Sequence, residues 1–143
     1  MYAKQVSIFL ENKKGRLAEV TRVLADEKIN IRALSLADMT DLGVLRLIVD
    51  DRAGCLRVLK EHGLVVQETE VVAAEVPDKP GGLHHVIAIL NADGISIEYM
   101  YAFCTKNSDN AMVVLKINDP ARAVATLQKN GIRVLPEDVI EKL

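Results

Sequence analysis

The stretch Asp78-Lys79-Pro80-Gly81-Gly82-Leu83 is a short polar turn between an apolar strand pattern and an amphipathic helix pattern. Its counterpart lies 66 residues earlier, at Asn12-Lys13-Lys14-Gly15-Arg16-Leu17. Gly81 and Gly82 have no Cβ, so the main chain there can come close to a ligand. The first amides of a helix lack partners within it and carry partial positive charge, which suits a carboxylate. Asp78 or Asn12 places an oxygen a few residues away that suits an ammonium group. A small zwitterion fits that pair of opposite ends. The plain alternative is that the glycines only shape a strand-to-helix bend, with Asp78 capping the helix.

Around these turns the chain reads as β-α-β-β-α-β, twice. Residues 5–10 alternate, with Val6, Ile8 and Leu10 on one side, predicting a strand. Residues 15–27 put Leu17, Val20 and Leu24 on one helical face and charged residues on the other. Ile29-Asn30-Ile31 opens a second strand, residues 38–43 a turn, and residues 44–49 a third strand. Asp50 or Asp51 is placed to cap a second helix that stops at Gly63, before a strand at 64–67. Leu83, Val86 and Leu90 then repeat Leu17, Val20 and Leu24, and Ile95-Ser96-Ile97 repeats Ile29-Asn30-Ile31, each 66 residues on. Asp119-Pro120 caps the fourth helix, Asn130-Gly131 ends it, and residues 132–135 form the last strand. A short helix is expected after Pro136.

Such a duplication predicts an α+β chain of two ferredoxin-like βαββαβ domains, 1–69 and 70–143, each an antiparallel sheet with its helices on one face. Residues 66–76 contain no Gly, Pro or Ser, so no flexible linker separates the halves. Pairing of the two second strands, about residues 30–37 and 96–103, would remove two exposed sheet edges, within one chain or between chains. A homodimer is expected.

Composition narrows the function. Half of the 143 residues are apolar and the net charge is −2, which supports a packed core and gives no basic field for nucleic acid or anionic lipid. No apolar run reaches the ~20 residues of a membrane span, and the N-terminus has no signal-peptide pattern. Cys55 and Cys104 stand far apart, which predicts two reduced thiols and a cytoplasmic setting. No catalytic arrangement, phosphate loop or dinucleotide motif is present, so no enzyme activity is expected. RNA-recognition modules share the βαββαβ order but display aromatics on their third strands, and residues 44–49 and 112–117 hold none. His84 and His85, adjacent on a helix, point about 100° apart and do not converge on one ion. No metal or other cofactor is expected. Lys13, Lys14 and Arg16 form a basic group at a helix start, either solvated or drawing a carboxylate. Tyr99, Tyr101 and Phe103 share one strand face: a core row, or, if a bulge intervenes, a row on the sheet's other face.

The doubled strand-turn-Gly-x-Leu-helix element, the Ile-x-Ile after each helix and the Gly before each last strand resemble a tandem pair of ACT domains over nearly the whole chain. The resemblance implies a regulatory, non-catalytic protein that binds a small amino acid between one unit's glycine turn and its partner's second strand. It carries ligand contact to Asn12, Gly15, Arg16 and Leu17 with Asn30 and Ile31, and to Asp78, Pro80, Gly81, Gly82 and Leu83 with Ser96 and Ile97. Lys14 stands where the family's Pro-Gly pair has proline, so the first turn departs from the pattern. The chain is also similar to small regulatory subunits of amino-acid biosynthetic enzymes, of the acetolactate synthase type, which would give it an enzyme partner.

Overall fold

The computed structural model describes residues 2–11, 13–39, 41–104 and 109–143. The described residues divide into two compact units, Lys4–Thr69 and Glu70–Leu143, the second joined by Tyr2 and Ala3. Each is a ferredoxin-like sheet with two helices packed on it, and the second unit ends in a further short helix.

The first unit holds β1 (Ala3–Glu11), α1 (Arg16–Asp26), β2 (Ile31–Met39), β3 (Leu42–Val49) and α2 (Arg52–Glu61). β3 lies between β1 and β2, antiparallel to both, with Ile8 opposite Leu45 and Leu36 also opposite Leu45. β2 runs to Met39 and β3 begins at Leu42, so the connection is shorter than the turn expected over 38–43. Val6, Ile8, Leu10, Leu45, Leu47 and Val49 pack against Val20, Val23 and Leu24 of α1 and Val58 and Leu59 of α2. Asp51, of the two candidate caps, accepts from the Gly54 amide at 3.0 Å.

The second unit repeats the plan with β5 (Ile97–Ala102), β6 (Asn110–Ile117), α3 (Gly82–Ala92), α4 (Pro120–Lys129), β7 (Val134–Leu135) and α5 (Glu137–Glu141). β7 has only two of the four residues expected of the last strand. Asp119 caps α4 through the Arg122 amide, with Pro120 at the first helical position. Val72, Ala74, Val76, Val113, Leu115 and Ile117 meet Val86 and Leu90 of α3 and Val124 and Leu127 of α4.

The fourth strand of one half and the first of the other are one strand, β4 (Val65–Pro77), and the unit division falls inside it. No residue between Val66 and Val76 can break an extended chain, which is why it runs through. In each unit the second strand is an edge strand, with the third as its sole strand partner among the described residues. The in-chain pairing of the two second strands is therefore absent among those residues.

Both second strands carry a bulge, between Ile31 and Ala33 and between Ile97 and Tyr99. The extra residue reverses the alternation. Ile97 and Met100 therefore pack on the helix-side core. Tyr99 and Tyr101, opposite Lys116 and Val114, go to the sheet's other face, as does Phe103, whose amide donates to Met112 O. The aromatic row is not helix-side core.

Candidate ligand site

Each glycine turn is built by the same bonds. After β1, the Lys13 amide donates to Glu11 O at 2.7 Å and the Arg16 amide to Lys13 O at 3.2 Å. After β4, Lys79 donates to Pro77 O and Gly82 to Lys79 O, both at 2.9 Å. Gly15 and Gly81 stand at the N-caps of α1 and α3 with φ of 88° and 86°, the left-handed region that glycine enters without cost. Neither helix has a side-chain cap, so Asp78 does not cap α3. Asp78 is exposed, with no hydrogen bond or ion pair among the described residues.

These turns leave specific donors open. Leu17 and Ala18 in α1, and Leu83 and His84 in α3, have amides with no acceptor among the described residues, as first-turn amides do when no side chain caps them. Gly82 is different: its amide is already engaged by Lys79, so a carboxylate on α3 would meet Leu83 and His84 instead. His84 was not among the expected contacts. It enters because the turn consumes the Gly82 donor.

Two members of the first turn's basic group, Lys13 and Arg16, are ion-paired in place. Lys13 pairs with Glu11 at 2.8 Å, and Arg16 with Glu11 at 3.7 Å and Glu19 at 3.2 Å. The Lys13 ammonium above all, then Arg16, holds the Glu11 carboxyl below its ordinary range. Asn12 lies outside the described residues.

Leu17 and Leu83 face outward instead of into the cores, at 40% and 41% exposure. They lie one turn before Val20 and Val86, in the first turn of each helix. Beside Leu17 is a niche of about 70 Å³ between Lys13, Arg16, Leu36 and Gly43. That is room for about two waters, so a ligand there needs a further surface to enclose it. Leu36, 54% exposed, is the contributor that sequence reasoning missed. Only the hairpin register places it beside the turn.

Asn30, Ile31, Ser96 and Ile97 are not brought to the glycine turn of their own unit. They follow the far end of an 11-residue helix, about 16 Å away at 1.5 Å per residue. The main chain there is clamped: Asn30 N–H donates to Asp50 Oδ1 at 2.9 Å while Asp50 N–H donates to Asn30 O at 3.0 Å. Ser96 and Asn118 form the same pair at 3.2 and 3.4 Å. Ile31 and Ile97 pack half-buried on the cores. Pro80 and Gly81 are exposed and Gly82 is buried.

Each half is a ferredoxin-like unit with a glycine at the N-cap of its first helix. The family description "ACT domain pair" matches residues 1–143, and the chain belongs to that family. It is similar to the solved protein BT0572 from Bacteroides thetaiotaomicron, at 42% identity and a TM-score of 0.93, covering 100% of this chain and 98% of that one. The regulatory subunit of aspartate kinase from Thermus thermophilus, solved ligand-free, shares the fold at 16% identity and a TM-score of 0.61, over 88% of this chain and 91% of that one. Its counterpart from Thermus flavus does so at 14% and 0.59, over 88% and 90%. A search of curated proteins found no match.

Proposed function

We propose that this ACT domain pair is a non-catalytic regulator that binds a small amino acid at the N-terminal turns of α1 and α3. One observation carries the reading. Both turns present unpartnered amides beside an outward-facing leucine, and in α1 that leucine borders a niche too small to enclose a ligand alone. The amides of Leu83 and His84 take the carboxylate, and Asp78, which has no other partner among the described residues, takes the ammonium. In the first unit, Gly15, Arg16 and Leu17 form the corresponding wall.

The missing wall is a second strand of another copy, through Asn30 and Ile31 or Ser96 and Ile97. Both second strands offer an edge with no strand partner on one side among the described residues, and such edges favour pairing. The protein then acts as a homodimer. Two free thiols, and no described helix long and apolar enough to cross a membrane, are compatible with the cytoplasm.

A thermal-shift screen of the twenty amino acids tests the reading, since a ligand that binds only the folded chain raises its melting temperature. No shift with any of them defeats it. A stoichiometric enzyme recovered with the tagged protein from native lysate would make the chain a regulatory subunit instead.

A further inference from the structure

In the second unit a cleft of about 510 Å³ lies between α3 and α4, within the range of small-molecule sites. Along α3, His85, Ala88 and Ala92 share one face at helical spacing, and the two alanines leave the space open. Half-buried Ile89 adds an apolar patch to the floor. One end is held together, because Asp93 at the end of α3 accepts from Thr126 and Arg122 of α4.

The first unit has the same place filled. Arg22 and Asp26 stand at the positions of Ala88 and Ala92, and Glu19 and Glu61 at those of His85 and Lys129. Arg57 of α2 reaches Glu27, at the end of α1, at 3.6 Å and Glu61 at 3.4 Å. One helix pair is thus occupied and rich in carboxylates, while its duplicate is open and basic.

The charges in the open cleft do not cancel. Asp93, the one carboxylate of its lining among the described residues, is already paired with Arg122. Neither the Lys129 ammonium nor the His85 imidazole has a hydrogen bond or ion pair among the described residues. Asn130 donates one amide N–H to Thr126 O at 2.8 Å and keeps the other. An ammonium and two N–H donors therefore border an apolar floor. A carboxylate brings two acceptor oxygens to such a set, whereas a phosphoryl group brings three and more charge.

We infer that this cleft binds a small phosphate monoester. Its phosphoryl group lies between Lys129, His85 and Asn130, and its organic body lies on Ala88, Ile89 and Ala92. The glycine turns and their open amides take no part, so the inference does not rest on the function proposed above.

Titration of the full-length protein with phenyl phosphate at ~0.15 M salt, followed by backbone amide spectra, tests it. Saturable shifts at Ala88, Ala92, Thr126 and Asn130 are expected, with benzoate binding at least several-fold more weakly. Lys129→Gln, at an exposed position, should weaken phenyl phosphate binding about tenfold, through loss of the ammonium. Ala88→Arg combined with Ala92→Asp copies the first unit's residues at two exposed positions without changing net charge. That double variant should lose the shifts and unfold in denaturant as the wild type does. Absence of saturable shifts up to about 10 mM, the range of very weak affinity, overturns the inference. So does unchanged affinity in Lys129→Gln or in the folded double variant, or benzoate binding as tightly as phenyl phosphate. Shifts confined to Gly15, Leu17, Gly81 and Leu83 also overturn it, while supporting the separate site at the turns.

Discussion

Gly82 lies against the carbonyl of Pro77 so closely that a Cβ added to it would sit 1.9 Å from the Pro77 oxygen. One residue away, Gly81 would place a Cβ with nothing within 4 Å. The two adjacent glycines thus serve different needs, one of space and one of backbone conformation. Gly82→Ala should cost about 3 kcal/mol or more, because the clash is with main chain that cannot rotate away. Gly81→Ala should cost about 1 kcal/mol, from a left-handed φ alone. Denaturant unfolding of the two variants checks the ranking, and equal losses would contradict it.

Asp78→Ala should leave unfolding unchanged, since the side chain has no partner among the described residues. Amino-acid binding at the turn should weaken by ~1.5–3 kcal/mol, as a charge-assisted contact is lost. Calorimetry on the folded variant measures this, and an unchanged affinity removes Asp78 from the site.

Asp93, the C-cap of α3, accepts from Thr126 Oγ1 at 2.5 Å and from Arg122 at 3.0 Å. The threonine hydroxyl first, then the guanidinium, holds its carboxyl below the usual carboxylate range. A carboxyl with a lower pKa when folded adds stability above its unfolded value of about 4, and that contribution is lost as pH falls through the folded value. Asp93→Asn should therefore melt below the wild type at neutral pH, with the gap closing under acid. A constant gap down to strongly acid pH would count against this.

Burial, and secondarily the Asp51 carboxylate, pushes the Cys55 thiol up to about 12, whereas Cys104 is exposed. The thiolate is the reactive form, so native protein near pH 8 should take one equivalent of alkylating reagent, at Cys104, and two once unfolded. Rapid native labelling of Cys55, read by peptide mass, would show that α2 opens readily.

Leu34 and Leu36 stand outward on the edge strand β2, at 41% and 54% exposure. If that edge is where copies meet, Leu36→Glu should shift the protein toward monomer in sedimentation, and should remove the dependence of its melting temperature on protein concentration. An unaltered assembly state would place the contact elsewhere.

Much of the fold was legible because it rests on local pattern. Period-3.6 faces at Val20, Leu24, Val86 and Leu90, caps at Asp51 and Asp119, and the repeated Gly-x-Leu all take effect within a few residues. What escaped depends on neighbours distant in sequence. Leu17 fits the helical period, yet it is exposed and lies outside the core. Leu36 reaches the niche only through the β2–β3 register. Lys13 and Arg16 look like a free basic group until Glu11, at the end of β1, is seen to neutralise them. Gly81 and Gly82 read alike in sequence, and only the path of Pro77 separates them.

The bulges at Ile31/Ala33 and Ile97/Tyr99 act as reading-frame markers for side-chain direction. Deleting the single residue Glu98 would join Ile97 to Tyr99 and give strict alternation in the present register, with Met100 still on the helix side and both tyrosines still opposite Lys116 and Val114. The added residue inside the strand is what puts Ile97 and Tyr99, two apart in sequence, on opposite faces, so parity counted from Ile97 assigns both tyrosines to the wrong side.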